Sequence, residues 1–346
     1  METIFSAQGR QQAFPVGEPS AIAAARRAAC DLARALGFNE TVIGRVAIVV
    51  TEAGTNIVKY ADRGEILLRK AYRFDGAAGI EILAIDAGPG IPRLAQSMLD
   101  GMSCAGSCGI GLGAMQRLAD QFDIHTDLDK GTAICMSFWG AADTSSASWC
   151  DVGVVCLPIA GETLCGDAWA VGCDSQAMTV VLADGVGHGM LAAMMLQTSA
   201  KPANIMQSAH QTLPGSRGAA QGVVRLDSNA GSLAFAGTGN IAACVCGGGM
   251  IQHLVPRDGI AGSAMGNVHE SSAEWSADML LVMHSDGLKA GWNLDKYPGL
   301  ALLYPALIAA VLCRDYKRGS DDVTVLVCRE QREEREEREE KTINSV

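Results

Sequence analysis

The sequence predicts an α+β protein of two domains, and three observations lead there. Apolar residues recur at helical spacing up to about residue 57 and then give way to strand-like runs. The stretch GAADTSSAS at 140–148 is small and polar, as a linker is. From Trp149 onward, short runs rich in Val, Ala, Leu and Cys follow one another, broken by glycine turns. The expected partition is a domain at 1–140, a linker at 141–148, a domain at 149–328 and a charged tail at 329–346. With 346 residues, each domain can bury a core of its own.

The hydrophobic share of 49% argues against a disordered chain. A net charge of −11 argues against nucleic acid as the main partner, because a phosphate backbone needs a basic face. The 12 cysteines lack the paired C-x-x-C spacing of a zinc site. Several, such as Cys156 and Cys328, sit inside apolar runs, where a thiol packs as a small hydrophobe. They are expected to be reduced, in a cytoplasmic protein. The start, METIFSAQGR, lacks the basic-then-apolar pattern of a signal peptide. The run LYPALIAAVLC at 303–313 is too short to span a bilayer, so no membrane partner is expected. The tail, REQREEREEREEK, reads as a solvated helix or a disordered segment.

The elements follow in order. Residues 1–17 read as extended. Ser20 is expected to cap a helix that runs to Leu36 and stops at Gly37. Asn39 caps a second helix, with Val42, Ile43, Val46, Val50, Ala53 and Ile57 as its buried stripe. Glu52 and Asn56 lie four apart and share one face of it. Strands at 65–72 and 80–85 come next, the second ending at Asp86. A glycine-, serine- and methionine-rich segment, with 97–108 also rich in cysteine, reads as mobile and leads into a helix at about 112–121. Strands at about 123–128 and 132–139 close the domain. The second domain is expected to hold strands at 152–157, 169–171, 178–183, 222–226, 232–236, 242–246, 279–284 and 323–328. Helices are expected at about 190–212 and 299–313.

In the first domain the residue types suit a nucleotide site. Asn56 offers an amide oxygen to Mg²⁺, which keeps most of its waters and takes few protein ligands. Glu52, one turn earlier, can accept a proton from an attacking hydroxyl or water. Asp86, followed by Gly88 and Gly90, can accept a hydrogen bond from an adenine amino group. Gly109, Gly111, Leu112 and Gly113 stand where a helix begins, so backbone N–H groups can face phosphates. TEAGTNIVKYA, DAGPGI and GIGLGAMQRLADQF resemble the N box and the two glycine boxes of the GHKL ATPases, within them the anti-sigma-factor serine kinases of the RsbT and RsbW kind. That resemblance implies an α/β sandwich that binds ATP with Mg²⁺ and phosphorylates a serine or threonine on a STAS-domain partner. It makes Glu52 the base, Asn56 the metal ligand and Asp86 the adenine contact. Gly111 and Gly113 become phosphate contacts, and Thr132 a support at the adenine end. The alternative is a domain that binds ATP and a partner without transferring phosphate.

In the second domain, VVLADGVGHG and VMHSDGL each end an apolar run at Asp-Gly: Asp184-Gly185 and Asp286-Gly287. Asp167 and the pair Asp321-Asp322 also stand at strand edges, and four acidic sites can converge on hard cations held by oxygen. Together with GETLCGDAW, FAGTGNI and GSDDVTVLV, these stretches resemble the SpoIIE-like branch of the protein phosphatase 2C superfamily. That implies a β-sandwich flanked by helices, using two Mn²⁺ or Mg²⁺ ions to hydrolyse phosphoserine or phosphothreonine. It makes Asp167, Asp184, Asp286 and Asp321 metal ligands, with the Gly185 carbonyl beside them; adjacency leaves Asp322 open. His188 is either a substrate-side group or bonded to backbone, and His284 is expected to be packed. No arginine near the first motif offers to hold the phosphoryl group. The two resemblances together imply a bifunctional switch acting on STAS-domain proteins in a sigma-factor cascade.

Overall fold

The computed structural model describes residues 3–6, 11–61, 63–98, 111–141, 149–173, 177–185, 200–212 and 218–331. It divides into two compact units, each discontinuous in sequence. One comprises Gly9–Ser145 with Asn293–Asp315; the other comprises Met1–Gln8, Ser146–Trp292 and Tyr316–Val346. The contiguous partition expected from composition differs from this at the first eight residues and at 293–315. The expectations for 99–108, Gly109, linker residues 142–148, His188, the 190–199 part of a helix and the tail from 332 lie outside the described residues.

The chain opens with β1 (Thr3–Ser6), which belongs to the second unit. The first unit then runs β2 (Gln12–Val16), α1 (Pro19–Ala35), α2 (Glu40–Tyr60), β3 (Gly64–Tyr72), β4 (Ala78–Asp86), α3 (Leu94–Ser97), α4 (Gly111–Leu118), β5 (Gln121–Asp127) and β6 (Gly131–Trp139). Its five strands form one antiparallel sheet in the order β2-β3-β4-β6-β5. Ser20 does not cap α1. Glu18 is the N-cap and Pro19 opens the helix, where its fixed φ and missing N–H suit the first turn. The Ser20 hydroxyl donates instead to the Glu18 carboxylate. Asn39 caps α2 as expected, its Oδ1 accepting from the Val42 N–H at 3.0 Å.

The α2 stripe of Ile43, Val46, Val50, Ala53 and Ile57 packs with Ile66, Leu68, Ile80, Ile82, Met136 and Phe138 in one core. By length and composition α2 is apolar enough to cross a membrane, but its stripe is spent on this core. Alternation puts Leu67, Glu81, Leu83, Cys135 and Ser137 on the opposite face of the sheet, and they are buried too. There Arg69 and Glu81, cross-strand partners, form a two-pronged ion pair at 2.5 and 3.0 Å. The cover for this face is the segment Asn293–Asp315. The Tyr304 N–H donates to Asp123 Oδ2 at 2.8 Å, and the Tyr297 ring meets His125 edge-on at 6.0 Å. The expected helix at 299–313 is a 3₁₀ turn at Leu300–Leu302 followed by a helix at Pro305–Tyr316. Proline at the first helical position sets that start.

The second unit contains β7 (Cys150–Leu157), β8 (Ala168–Cys173), β9 (Ala177–Asp184), α5 (Pro202–Thr212), β10 (Ala220–Asp227), β11 (Ser232–Thr238), β12 (Ala242–Gly247), β13 (Met250–Leu254), β14 (Gly259–Ile260), β15 (Ala264–Met265), β16 (Ser271–Glu274), β17 (Leu280–His284) and β18 (Val323–Glu330). Two antiparallel sheets result, β1-β8-β9-β10-β11-β16 and β13-β12-β17-β18-β7, beside a small β14–β15 pair. The large sheets face each other: a Cβ added to Gly222 of β10 would lie 3.1 Å from the Met283 methyl of β17. The other face of the six-stranded sheet takes α5, whose Ile205, Met206 and Ala209 meet Ala168, Ala170, Val181, Val223 and Ala236. Burial on both sides explains why β9 reads as a nearly continuous apolar run. All the expected strands are present, whereas β13 to β16 were not expected; they are short and largely exposed, so their sequences carry little apolar alternation. Most of the described cysteines are buried.

Candidate nucleotide site and candidate metal centre

The residues expected to form a nucleotide site fall into two groups within the first unit. In one, α2 carries Glu52 and Asn56, and α4 begins beside them. A Cβ on Gly111 would lie 3.0 Å from Glu52 Oε2 and 3.7 and 3.8 Å from the Asn56 amide atoms. A side chain at this position would press on the Glu52 carboxylate, which would have to give way by a few tenths of an ångström. Arg45 fixes this approach: its Nε donates to the Leu118 carbonyl and its Nη2 to Asp120 Oδ1, both at 2.6 Å. Gly113 is buried, and Leu112 packs against the core.

In the other group, Asp86 at the end of β4 accepts two backbone hydrogen bonds on Oδ1, from Gly88 at 2.8 Å and Thr132 at 3.1 Å. Gly131, at φ +105, lies so close that a Cβ would sit 2.1 Å from the Asp86 carbonyl. Gly90, at φ +74, lies nearly as tight, a Cβ there falling 2.5 Å from the Asp127 carbonyl. Thr126 Oγ1 accepts from the Ile91 N–H at 2.8 Å and shares a hydrogen bond with Thr132 Oγ1 at 3.1 Å. The loop after Asp86 is thereby stitched to the end of β5 and the start of β6. From the Asn293–Asp315 segment, Arg314 Nη1 donates to the Asp86 carbonyl at 3.3 Å.

In the second unit, Asp184 ends β9 and Asp286 follows β17. They share one amide: Asn240 Nδ2 donates to Asp286 Oδ2 at 2.6 Å and to Asp184 Oδ2 at 3.2 Å. Asp286 Oδ1 is buried without a hydrogen-bond partner among the described residues. Gly185, at φ +95, takes the left-handed conformation that the turn after Asp184 needs. Gly287 lies so close to the Asp322 carbonyl that a Cβ would approach to 1.9 Å. Asp167 is nearly fully buried and its Oδ2 accepts from Ser285 Oγ at 2.7 Å. Asp321 and Asp322 separate in role. Asp322 clamps the first motif by accepting from the Ile159 N–H at 2.7 Å and from the Gly166 N–H. Asp321 is exposed and accepts from the Asp322 N–H at 2.9 Å.

Among the described residues, no three His, Cys, Asp or Glu side chains close on one point. The structure thus pairs Asp184 with Asp286, and Asp167 and Asp321 do not join them in one cluster. Their charges still act on one another. Burial, then the charges of Asp286, Asp321 and Asp322, push the Asp184 carboxyl up. Burial pushes Asp167 up to about 7, with the Asp184 and Asp322 charges adding to it against the Ser285 hydrogen bond. A buried carboxylate oxygen without a partner and two carboxylates held apart by one amide fit a divalent cation that keeps most of its waters. His284 is packed, as expected: Nδ1 lies 2.8 Å from the Ser285 carbonyl and Nε2 accepts from Trp292 at 3.3 Å.

Three residues of this centre were not singled out from the sequence: Asn240, Ser285 and Arg318, the last with its Nε on the Asp286 carbonyl at 2.6 Å. Asn240 and Ser285 lie inside FAGTGNI and VMHSDGL, so the motif was the signal available.

The Asp167 shift has a sign. Its folded value of about 7 exceeds the ordinary 3.8, so the folded metal-free protein holds the extra proton between those values. Raising the pH through that window therefore lowers stability, by a few kcal/mol at most. Thermal melts of chelator-treated protein should show this loss between pH 4 and about 7, and Asp167→Asn should remove it. A wild type and variant with parallel pH profiles would contradict the assignment.

Within the first unit, residues 16–138 match the family described as a histidine kinase-like ATPase domain. Over 118 residues, 34% of this chain, the sequence is 36% identical to the serine/threonine-protein kinase RsbT of Bacillus subtilis (strain 168), covering 88% of that protein. Through this segment the chain belongs to the RsbT family of serine/threonine kinases. Among solved structures, a chain from the bacterial stressosome, a modular system adapted to control secondary messenger signalling, is 28% identical with a TM-score of 0.47, over 53% of this chain and 100% of that one. RsbX in complex with magnesium is 17% identical with a TM-score of 0.44, over 54% of this chain and 98% of that one.

Proposed function

We propose that the chain is a bifunctional partner-switching regulator. A serine/threonine kinase domain, read at 1–140, precedes a metal-dependent phosphoserine/phosphothreonine phosphatase domain, read at 149–328. The observation that carries the phosphatase reading is the Asp184–Asn240–Asp286 bridge with its orphaned Asp286 oxygen. Asp184, Asp286, Asp167 and Asp321, with the Gly185 carbonyl, would hold two Mn²⁺ or Mg²⁺ ions. Such ions supply Lewis acidity to a phosphoryl group and a lowered pKa to an attacking water. Asn240 holds the Asp184 and Asp286 carboxylates in register, and Ser285 orients Asp167.

In the kinase domain Glu52 takes the proton of the attacking hydroxyl and Asn56 holds Mg²⁺ beside the phosphates of ATP. Gly111 and Gly113, with Gly109 and Leu112, bring the N-terminus of α4 to the phosphates. Asp86, oriented by the Gly88 and Thr132 N–H groups, receives the adenine amino group on its other oxygen, with Gly90 shaping the loop. The partner is a STAS-domain protein or a related phosphoprotein of a sigma-factor cascade, and the setting is the cytoplasm. The test is transfer of γ-labelled phosphate from ATP to candidate STAS-domain proteins, with the phosphatase disabled at Asp286. Labelling supports a kinase; nucleotide and partner binding without labelling would favour a binding module.

Asn56→Ala should weaken Mg²⁺-ATP by at least about tenfold, or 1.4 kcal/mol, while leaving metal-free ATP nearly unchanged. Calorimetry with and without Mg²⁺ separates the two. Equal losses would mean that Asn56 supports the helix and not the ion.

A further inference from the structure

Among the described residues of the second unit, Arg318 is a cation bonded to the main chain of Asp286. The chain at 316–318 runs antiparallel beside 287–289: Lys289 N–H donates to the Tyr316 carbonyl and Arg318 N–H to the Gly287 carbonyl, both at 2.8 Å, with a bridge between Leu288 and Lys317. This pairing sets Arg318 against Asp286. Its Nε then donates to the Asp286 main-chain carbonyl at 2.6 Å and not to the carboxylate. Arg318 is exposed and forms no ion pair among the described residues. Gly319, at φ +75, turns the chain between it and Asp321.

We propose that Arg318 grips the phosphoryl group of the substrate at the Asp184–Asp286 centre, an assignment that rests on the phosphatase reading. A guanidinium carries five donors in a planar fork. With Nε anchored on a carbonyl, the two Nη groups keep a fixed direction, and among the described residues they leave room for two phosphoryl oxygens. A carboxylate-rich centre repels a phosphate dianion, and a guanidinium beside it offers that anion charge-assisted donors. The anchor on Asp286 keeps those donors in step with the metal-binding loop.

The experiment uses the full chain, loaded with Mn²⁺, as wild type, Arg318→Ala and Arg318→Lys. It reads Mn²⁺ affinity, inorganic phosphate affinity by calorimetry, and steady-state hydrolysis of p-nitrophenyl phosphate. In Arg318→Ala, phosphate affinity should fall about 10- to 100-fold and KM should rise in step. Mn²⁺ affinity should stay within about twofold, because Arg318 is no ligand. Arg318→Lys should recover part of the loss, since it restores the charge without the fork. Unchanged phosphate affinity in Arg318→Ala would overturn the proposal, as would no phosphate binding by the wild type. So would Mn²⁺ affinity falling in parallel, which would make Arg318 a prop for the Asp286 loop. Phosphate binding lost in Arg318→Ala, without hydrolysis by any of the proteins, would uphold Arg318 and sink the phosphatase reading.

Discussion

Asp286→Asn is expected to lower Mn²⁺-dependent hydrolysis of a phosphoserine protein by on the order of a thousandfold, about 4 kcal/mol of transition-state stabilisation. The substitution keeps the shape and can still accept from Asn240, so the hydrogen bond at 2.6 Å need not be lost. What disappears is one negative charge and the oxygen that has no hydrogen-bond partner among the described residues. The metal-free variant should therefore melt no lower than the wild type, because a carboxylate that raises the Asp184 pKa has gone. It should also lose the stabilisation that Mn²⁺ gives the wild type, since ligand binding to the folded state raises stability by mass action. Turnover within about tenfold of wild type, in a variant with a normal melt, would remove Asp286 from the centre.

Glu52→Gln is expected to keep ATP affinity within a few-fold and to lower phosphoryl transfer by about 10²- to 10⁴-fold, the usual worth of a positioned base. Gln has the length to keep its place beside Gly111, where Glu52 Oε2 stands 3.0 Å from the site of an added Cβ. It cannot take a proton. The measurement belongs in an Asp286→Asn background, so that hydrolysis does not erase the product. Transfer close to wild type would leave Glu52 as a helix residue, and binding lost together with transfer would mean that it supports the nucleotide.

Much of the fold was legible because periodicity and burial coincide. The stripe of α2 and its Asn39 cap follow from local rules, as do the strands buried on both faces. Pro19 displaced Ser20 because a proline's fixed φ selects the helix start over a hydroxyl one position later. The β4 sequence AGIEILAID is apolar on both faces, which says that both are covered but not by what; the cover lies two hundred residues further on, in Asn293–Asp315. The candidate sites were legible as residue types at strand ends. Asn240 was not, because its amide matters only through carboxylates 46 and 56 residues away in sequence. Arg318 was not legible as part of the centre because it precedes the last motif, far in sequence from the first.

The split of the first unit into two sequence segments bears on how the protein is made. When residue 145 leaves the ribosome, the sheet has all five strands and its helices, but one face still lacks its cover. That cover is complete only about 170 residues later. At roughly 5–20 residues per second this is a wait of about 10–30 s, with Leu67, Leu83 and Cys135 uncovered on the nascent chain. The edge strand β1, synthesised first, waits in turn for β8 to exist before it has a pairing partner. Neither body can finish before the other is nearly complete, so a chain that stops before Asn293 lacks both the cover of the first sheet and β18 of the second unit. Ribosome stalling between the two segments would release a sticky half-molecule, and the time spent there sets how much the chain depends on chaperones.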